Sequence, residues 1–470
     1  MIPICVDLDG TLIRSDILME AILLLIRKNP LYFFMLPLWL LRGKAFLKSQ
    51  VAQRTHINAR SLPYHQELLF WLSAEKAKGR PLWLATASNR IHGEAVAEHL
   101  GIFDGVSSSS DRLNLSGPRK AADLVDRFGV QGFDYCGNSH ADLAIWHQAR
   151  KSILVNANRA LEHRVNALGN LEKVFISKKN TLYAMLKAIR PYQWTKNLLL
   201  FLPMIAAQKV SEGVTVVQMV VAFFSFSLCA SSVYLLNDLF DLEADREHPL
   251  KRKRPFASGA LPVVQGFWLT PLFIGCALIF SMLLPVRFSV ALLLYYSLTL
   301  AYSFKLKRIV IIDIMMLALL YTVRIVAGAV AFKVPLSFWI LLFSVFLFLS
   351  LALIKRYAEL ETLRRKGKLT ASGRGYHVED LAMLQSFGTS AGYMSVLVLG
   401  LYINSPAVES LYRYPERIWL ICMLLLYWLS RAWMKAHRGK MHEDPLVFAL
   451  RDKVSWAVGG ASLLVFWMAR

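Results

Sequence analysis

The chain of 470 residues has few cysteines and comparatively few acidic residues. Its cysteines, at positions 5, 136, 229, 276 and 422, show no spacing typical of a metal site or of a disulfide framework. Asp and Glu number 32 against 54 Lys and Arg, which gives a formal net charge of +22. Because this surplus lies between apolar runs, we expect no nucleic-acid partner and instead a membrane protein that obeys the positive-inside rule.

The amino terminus lacks the uninterrupted apolar core of a signal peptide, since Asp7 and Asp9 interrupt MIPICVDLDGTL. We therefore expect the first domain to stay cytoplasmic. Residues 2–8 instead predict a buried strand that ends at the two aspartates. Polar clusters follow three later predicted strand or helix ends and include Thr86, Lys120, and the pair Asn138 and Asp142. Because the carboxyl ends of parallel strands meet at one sheet edge, we expect an active site there.

This order of motifs resembles the haloacid dehalogenase-like phosphatase superfamily over residues 1–176. The resemblance implies an α/β Rossmann-like phosphatase domain in which residues at about 17–78 form a helical cap. The cap sequence is apolar and aromatic but broken by charges and prolines, and two interpretations stay open: ordinary packing over the site, or a position on the membrane surface.

The same resemblance assigns chemistry to the clusters. It implies that Asp7 is the nucleophile, Asp9 the general acid and base, Thr86 a ligand of a phosphoryl oxygen, and Lys120 the cation that neutralises the shared charge. It also implies a Mg²⁺ site with ligands from Asp7, Asp9, Asn138 and Asp142. Asn138 departs from the family pattern, because a carboxylate usually stands at this position.

The second half of the chain is dominated by apolar runs. Each is near the length needed to cross a bilayer, and they lie at about 197–208, 215–236, 264–284, 287–304, 309–331, 336–354, 385–404, 417–434 and 453–469. We therefore expect, after a linker at 177–190, an all-α polytopic membrane bundle of about nine transmembrane helices over 191–470. Lys and Arg concentrate in alternate loops, which predicts a multi-pass protein of the inner (plasma) membrane with its amino-terminal domain cytoplasmic.

The stretch from Tyr234 to Gly259 is the most informative segment of this half. Asn237, Asp241 and Asp245 recur every four residues, so a helix would place their oxygen atoms on one face, where they could hold a hard cation. A cationic loop that includes Arg252 and Arg254 follows directly. The pattern favours binding of a metal-bound diphosphate over the alternative of a simple juxtamembrane topology signal.

From residue 181 onward the chain resembles the UbiA-type prenyltransferase superfamily. The resemblance rests on RPYQWTKN at 190–197, on the N-D-x-x-D-x-x-x-D stretch, and on the segments 251–255 and 302–307. It implies Mg²⁺ held by Asn237, Asp241 and Asp245. The second aspartate-rich motif, D-x-x-x-D, is missing, and the corresponding loop reads KRYAEL at 355–360.

This cationic variant resembles the branch typified by decaprenyl-phosphate phosphoribosyltransferase. That resemblance implies phosphoribosyl diphosphate as the donor and a polyprenyl phosphate as the acceptor. It also implies phosphate contacts from five cations and a role for Glu359 in orienting a cation or contacting a ribose hydroxyl. The cations are Lys196, Arg252, Arg254, Lys355 and Arg356.

The two halves together predict a bifunctional enzyme. The transferase would make a lipid-linked 5-phosphoribose, and the phosphatase would then remove the 5-phosphate. Two other functions are considered: an aromatic prenyltransferase of quinone or haem synthesis, and a transporter or lipid-binding scaffold with an inactive appendage. Homo-oligomerisation is left open.

Asp313 and Arg324 are eleven residues apart on one predicted membrane helix, too far for direct contact. Either each has another partner or both line a cavity.

Overall fold

The structure is a computed structural model and describes residues 1–111, 113–176, 180–207, 216–367, 375–405, 408, 412–441 and 444–469. The chain forms two compact units. Unit 1 comprises Met1–Arg190 and Tyr234–Pro271, and unit 2 comprises Pro191–Val233 and Leu272–Arg470. The predicted domain boundaries at 176 and 190 stay a prediction, and residues 177–179 of the predicted linker lie outside the described residues.

Unit 1 contains a sheet of six parallel strands in the order β3-β2-β1-β4-β5-β6. The strands are β1 Ile4–Val6, β2 Leu82–Asn89, β3 Gly105–Ser109, β4 Asp134–Gly137, β5 Lys151–Val155 and β6 Leu171–Phe175. All three residues of β1 are buried, as a central strand covered on both faces requires. The α/β class predicted for this part of the chain is confirmed.

Helices pack around the sheet, and the first four lie within the predicted cap region, whose role as a cap stays a prediction. In chain order they are α1 Ile17–Lys28, α2 Tyr32–Leu41, α3 Lys44–Ala52, α4 Gln66–Ala77, α5 Arg90–Leu100, α6 Pro118–Phe128, α7 Leu143–Trp146, α8 Arg159–Asn166 and α9 Thr181–Ile189. Asp16 caps α1 by accepting a hydrogen bond from the Met19 amide at 2.9 Å. In α2, Phe34 and Leu41 are 70% and 84% exposed, so this cap helix presents an apolar surface. Its position on a membrane stays a prediction.

The remaining helices are mostly long and apolar. They are α10 Leu202–Ala206, α11 Val216–Phe240, α12 Leu242–Glu247, α13 Val263–Ser281, α14 Val286–Phe304, α15 Ile312–Ala331, α16 Phe338–Arg365, α17 Leu381–Ile403, α18 Trp419–His437, α19 Pro445–Arg451 and α20 Lys453–Ala469. Helices α11 and α13 each pass from one unit into the other.

Among the described residues, seven helices are long and apolar enough to cross a membrane, so the helical membrane bundle is confirmed but the count of nine is not. The spans are Val216–Phe240, Val263–Ser281, Val286–Phe304, Ile312–Ala331, Phe338–Arg365, Val378–Ile403 and Pro415–His437. The first predicted run forms a 3₁₀ segment, Pro191–Phe201, followed by the short α10, and its residue 208 lies outside the described chain. The last run forms α20, which has 17 residues.

Candidate active sites

The carboxyl edge of the unit 1 sheet carries Asp7 and Lys120 in direct contact. Lys120 Nζ lies 2.7 Å from Asp7 Oδ1 and also donates to the Tyr135 hydroxyl at 3.2 Å. Burial raises the pKa of Asp7 to about 6, although Lys120 acts in the opposite direction. Burial would lower the pKa of Lys120, but Asp7 and Asp142 raise it above its ordinary value, so the lysine stays charged.

Asp9 and Thr86 are linked through Ser88. The Ser88 hydroxyl donates to Asp9 Oδ2 at 2.7 Å, and the Ser88 amide donates to the Thr86 hydroxyl at 3.0 Å. The other Asp9 oxygen accepts a 2.8 Å hydrogen bond from the amide of Ile17, the first residue of α1. Burial, followed by the charge of Asp16, raises the pKa of Asp9 to about 7, which suits a group that must give and take a proton near neutral pH.

Asp142 and Asn138 occupy different positions at the end of β4. Asp142 accepts hydrogen bonds from the amides of Asn138 and Ser139 and from the Tyr135 hydroxyl, at 3.0 to 3.1 Å, so its carboxylate orders the turn and faces the Tyr135–Lys120 pair. The Asn138 side chain lies against Gly10, where an added Cβ would come 2.1 Å from Asn138 Nδ2. Gly10 has φ +77°, which glycine adopts without strain.

The donor set at this edge fits a magnesium ion. Asp7, Asp9 and Asn138 carry the hard oxygen atoms that Mg²⁺ prefers, and burial raises the pKa values of the two aspartates, a cost of ionisation that a bound cation would offset. Among the described residues, no three His, Cys, Asp or Glu side chains gather into a metal-binding group. A metal-ligand role for Asp142 stays a prediction.

Lys48 reaches this edge from cap helix α3 and was not identified from the sequence. Its Nζ donates to the Ala87 carbonyl at 2.5 Å and to Asn114 Oδ1 at 2.8 Å. Burial lowers the pKa of Lys48, while Asp9 and Asp16 oppose that shift. Helix α3 also contains Lys44, and no local sequence pattern distinguishes Lys48 as the lysine that reaches this edge.

The second set of predicted residues in unit 1 lies where α11 passes into α12. The Asp241 amide donates to the Asn237 carbonyl at 2.9 Å and the Asp245 amide to the Asp241 carbonyl at 2.8 Å, so the four-residue spacing coincides with helical turns. Asn237 and Asp241 are half-buried, whereas Asp245 is buried. Amide and carboxylate oxygens of this kind fit Mg²⁺.

Arg254 is engaged by carboxylates of the same region. Its Nη1 lies 2.7 Å from Asp245 Oδ2 and 3.0 Å from Asp238 Oδ1, and Asp238 also binds Arg190 at 2.5 Å. Burial raises the pKa of Asp245, and Arg254 partly offsets this. Through these two contacts Arg254 orders the loop that follows α12. Arg252, in contrast, has an exposed side chain. The structural role of Asp238, adjacent to the predicted Asn237, was not predicted.

In unit 2, Lys196 and Lys355 converge on Asp444. Their Nζ atoms lie 2.9 and 2.8 Å from the same oxygen, Asp444 Oδ2. Burial alone would raise the pKa of Asp444, but the two lysines lower it well below its ordinary value. Asp444 has no predicted role, and its neighbours 442 and 443 lie outside the described residues.

Arg356 is fully buried, unlike its neighbour Lys355. Its guanidinium contacts Asp313, with Nη2 to Oδ2 at 2.5 Å, and also bonds Glu359, one turn along α16. The Tyr376 hydroxyl donates to the other Asp313 oxygen at 2.5 Å. In this arrangement Arg356 fixes Asp313 and Glu359, and a direct contact with substrate stays a prediction.

Arg324 has partners other than Asp313. Its Nε donates to Asn197 Oδ1 at 3.0 Å and its Nη2 to the Tyr295 hydroxyl at 2.8 Å. The sequence left open whether Asp313 and Arg324 have separate partners or line a cavity. The first possibility is confirmed, because Asp313 pairs with Arg356 and Arg324 binds Asn197. These buried pairings satisfy charges inside an apolar bundle, as membrane proteins require.

The fold and these sites define a membrane-spanning helical protein with a fused α/β domain. The model of the UbiA prenyltransferase family matches residues 198–454, and the chain belongs to this family.

Two relatives and one structure illustrate the similarities. "Uncharacterized protein y4nM" of Sinorhizobium fredii is 35% identical over 471 residues, covering 100% of this chain and 91% of its own. "Decaprenyl-phosphate phosphoribosyltransferase" of Mycolicibacterium smegmatis is 38% identical over 220 residues, 45% of this chain and 69% of its own. A HAD family hydrolase structure from Salmonella enterica covers 34% of this chain and 64% of its own, with 16% identity and a TM-score of 0.26.

Family membership and the apolar helices establish two general properties. The chain is an integral membrane protein, and it is an enzyme of the transferase class. The more detailed predictions, on substrates and on the second activity, are taken up next.

Proposed function

We propose that this enzyme transfers 5-phosphoribose from phosphoribosyl diphosphate to a polyprenyl phosphate and then removes the 5-phosphate. The observation that carries the proposal is the convergence of Lys196 and Lys355 on Asp444 in unit 2. Most family members are expected to place carboxylates in the loop that contains Lys355, whereas lysines suit an acceptor that brings its own bare phosphate. The 38% identity to a decaprenyl-phosphate phosphoribosyltransferase supports the same substrates.

In the transfer step, an oxygen of the lipid phosphate attacks the anomeric carbon of the donor, and the bond from that carbon to the diphosphate breaks. Asn237, Asp241 and, less directly, Asp245 would hold Mg²⁺, which when bound neutralises the departing diphosphate. Arg254 holds Asp245 and Asp238 and so fixes this acidic face. Lys196 and Lys355 would exchange their contacts with Asp444 for contacts with the acceptor phosphate.

In the second step, Asp7 would attack the phosphorus of the 5-phosphate. Asp9 would protonate the ribose oxygen as its bond to phosphorus breaks, and would then take a proton from the water that hydrolyses the aspartyl phosphate. Lys120, already 2.7 Å from Asp7, would neutralise charge shared by nucleophile and phosphate. Tethering raises the effective concentration of this site for a product confined to the same membrane. The proposal places both sites on the cytoplasmic side of the plasma membrane.

Incubation of membranes containing the full chain with ribose-labelled phosphoribosyl diphosphate, Mg²⁺ and a polyprenyl phosphate tests the transfer. We expect lipid-extractable label, reduced at least about tenfold by Lys355→Met. Lys366→Met, a change of an exposed lysine just beyond the end of the same helix, is the matched control and should retain full labelling. Absence of labelled lipid, or prenylation of an aromatic acid instead, would contradict the proposal.

Asp7→Asn tests the second step. We expect lipid labelling to continue, but the labelled product should keep its second phosphate, because the nucleophile is gone. Asp126→Asn, an exposed change on α6, should leave the product unchanged. If Asp7→Asn also gives the fully dephosphorylated lipid, the α/β domain acts on another substrate.

A further inference from the structure

Unit 1 contains a polar cleft that shares only Arg252 with the predicted site residues. Its volume is about 870 Å³, within the range of small-molecule sites. Four arginines and one glutamate are the charged groups among its lining residues: Arg14, Arg60, Arg246, Arg252 and Glu247. We refer to it as the arginine cleft.

The cleft lies between segments that lead away from both candidate sites. Arg14 is five residues beyond Asp9 along the chain, and Arg246 directly follows Asp245. Another lining residue, Pro63, is bound directly to Arg14, since its carbonyl accepts a 2.9 Å hydrogen bond from the Arg14 amide. A bound anion would therefore contact both the loop after the phosphatase aspartates and the loop after the transferase aspartates.

The positive charge of the cleft is largely uncompensated. Arg246 forms a two-pronged ion pair with Glu20, at 2.6 and 2.8 Å. Within the described part of the chain, by contrast, Arg14, Arg60 and Arg252 form no ion pair. Like charges gathered around one cavity repel one another, and an anion that bridges them removes that cost.

The side chain of Arg14 is a second and independent indication that the cleft binds an anion. Its Nε is buried and has no hydrogen-bond partner in the described structure. A buried donor without an acceptor is costly, and a phosphate oxygen is the type of acceptor that a guanidinium prefers. Gly259 passes against Arg14, where an added Cβ would come 2.5 Å from Arg14 Cβ, so the Arg14 backbone is held closely in place.

We propose that the arginine cleft binds the phosphate group of a phosphorylated pentose. This inference rests on the proposed function, because that function supplies a pentose carrying a 5-phosphate at this part of the protein. Two sources share this chemistry: the soluble phosphoribosyl diphosphate before transfer, and the lipid-linked phosphoribose before dephosphorylation.

Binding of radiolabelled ribose 5-phosphate to the detergent-solubilised full chain in EDTA tests the cleft directly. Without Mg²⁺ both metal-dependent sites should bind weakly, whereas the arginines need no metal. We expect saturable binding that weakens with salt, at least about tenfold weaker in the double variant Arg14→Gln/Arg252→Gln and retained in Arg14→Lys/Arg252→Lys. Arg159→Gln, an exposed change on α8, is the matched control.

Absence of saturable binding, or an unchanged dissociation constant in the double variant, overturns the proposal. Thermal unfolding checks that the variants are folded, and Arg60→Gln, which removes an exposed arginine, replaces the double variant if that one does not fold. The transfer assay on the same preparations separates the two proposals, because binding in EDTA does not depend on lipid labelling.

The same double variant distinguishes the two sources. A higher KM for phosphoribosyl diphosphate would assign the cleft to the soluble donor. An unchanged KM, with labelled lipid that keeps its second phosphate for longer, would assign it to the lipid-linked product.

Discussion

At the scale of single residues, the proposed phosphatase site holds two carboxyl groups whose pKa values are raised by burial. Asp7 is only 7% exposed, and within the described residues its ion pair is with Lys120. Asp9 relies on hydrogen bonds from Ser88 and Ile17 instead of a cation in contact. The metal-free site should therefore resist ionisation, and stability should depend on pH and on Mg²⁺.

In EDTA, we expect the thermal stability of the full chain to fall as pH rises from about 4 to about 7. The ordinary pKa of Asp is 3.8, whereas folded Asp7 and Asp9 hold their protons up to about 6 and about 7. The folded state therefore binds more protons than the unfolded state in this window, so stability declines with rising pH. Unfolding curves with and without Mg²⁺ measure the effect, and Mg²⁺ should stabilise more at pH 7 than at pH 4.

Asp9→Asn should flatten this pH profile, because it removes the carboxyl with the higher pKa. The exposed control Asp126→Asn should leave the profile unchanged. An identical decline in both variants would assign the pH dependence to other groups.

Gly328 in α15 is a second position where one residue decides stability. A Cβ there would come 1.9 Å from the Leu200 carbonyl oxygen, so the backbones of α15 and the Pro191–Phe201 segment touch. We expect Gly328→Ala to destabilise the bundle by roughly 1–3 kcal/mol or more. Gly400→Ala, in α17 with open space around it, should be neutral or stabilising. Denaturation in detergent compares the two, and equal behaviour would contradict the contact.

The residues that could be predicted from sequence are those with a local signal. Asp7 follows the buried strand β1, Thr86 lies within β2, and the four-residue spacing of Asn237 and Asp241 coincides with helical turns in the structure. Asp444 and Lys48 could not be predicted, because their contacts join segments far apart in sequence. The burial of Arg356 could not be predicted either, because it depends on the ion pair with Asp313, a residue distant in sequence.

At the scale of elements, α1 connects the two candidate sites of unit 1. Its first amide, that of Ile17, binds Asp9, and Glu20 in its first turn binds Arg246, next to Asp245. The side chains of Glu20 and Arg246 are only 7% and 6% exposed, so this is a buried ion pair. The helix is therefore in a position to fix both loops at once.

We expect Glu20→Ala to cost roughly 3–5 kcal/mol, because it leaves Arg246 buried without its partner. Glu94→Ala removes the exposed Arg90–Glu94 pair and should cost less than about 1 kcal/mol. Unfolding measurements compare the two, and the transfer rate should fall in Glu20→Ala alone. A double variant Glu20→Ala/Arg246→Ala that costs as much as the sum of the single changes would contradict the coupling.

At the scale of the whole molecule, chain connectivity constrains the topology. The 2.5 Å ion pair between Arg190 and Asp238 brings the start of the segment 191–237 next to the end of α11, so this segment should cross the membrane an even number of times. Helix α11 supplies one crossing. The second crossing would then consist of the 3₁₀ segment Pro191–Phe201 together with α10, two short elements that form no long helix. The seven long helices thus understate the number of crossings that we expect.

Reporter fusions check this topology. We expect an alkaline phosphatase domain fused after Ala207 to be active outside the cytoplasm, and fusions after Leu250 to be inactive. A fusion after Leu284, beyond α13, should be active again. Inactivity after Ala207 would mean that residues 191–207 enter the membrane without crossing it.

The hydrogen bond from Arg27 Nη1 to the Phe240 carbonyl, at 2.9 Å, has a genetic consequence. Arg27, a residue of α1, thus completes the end of the helix that leads to Asp241, and Glu20 of the same helix binds Arg246 in the loop beyond it. Without residues 1–176, the remaining half would have an unfinished helix end at Phe240 and a buried Arg246 without its partner Glu20. We therefore expect a gene truncated to the second half to yield an unstable, inactive transferase.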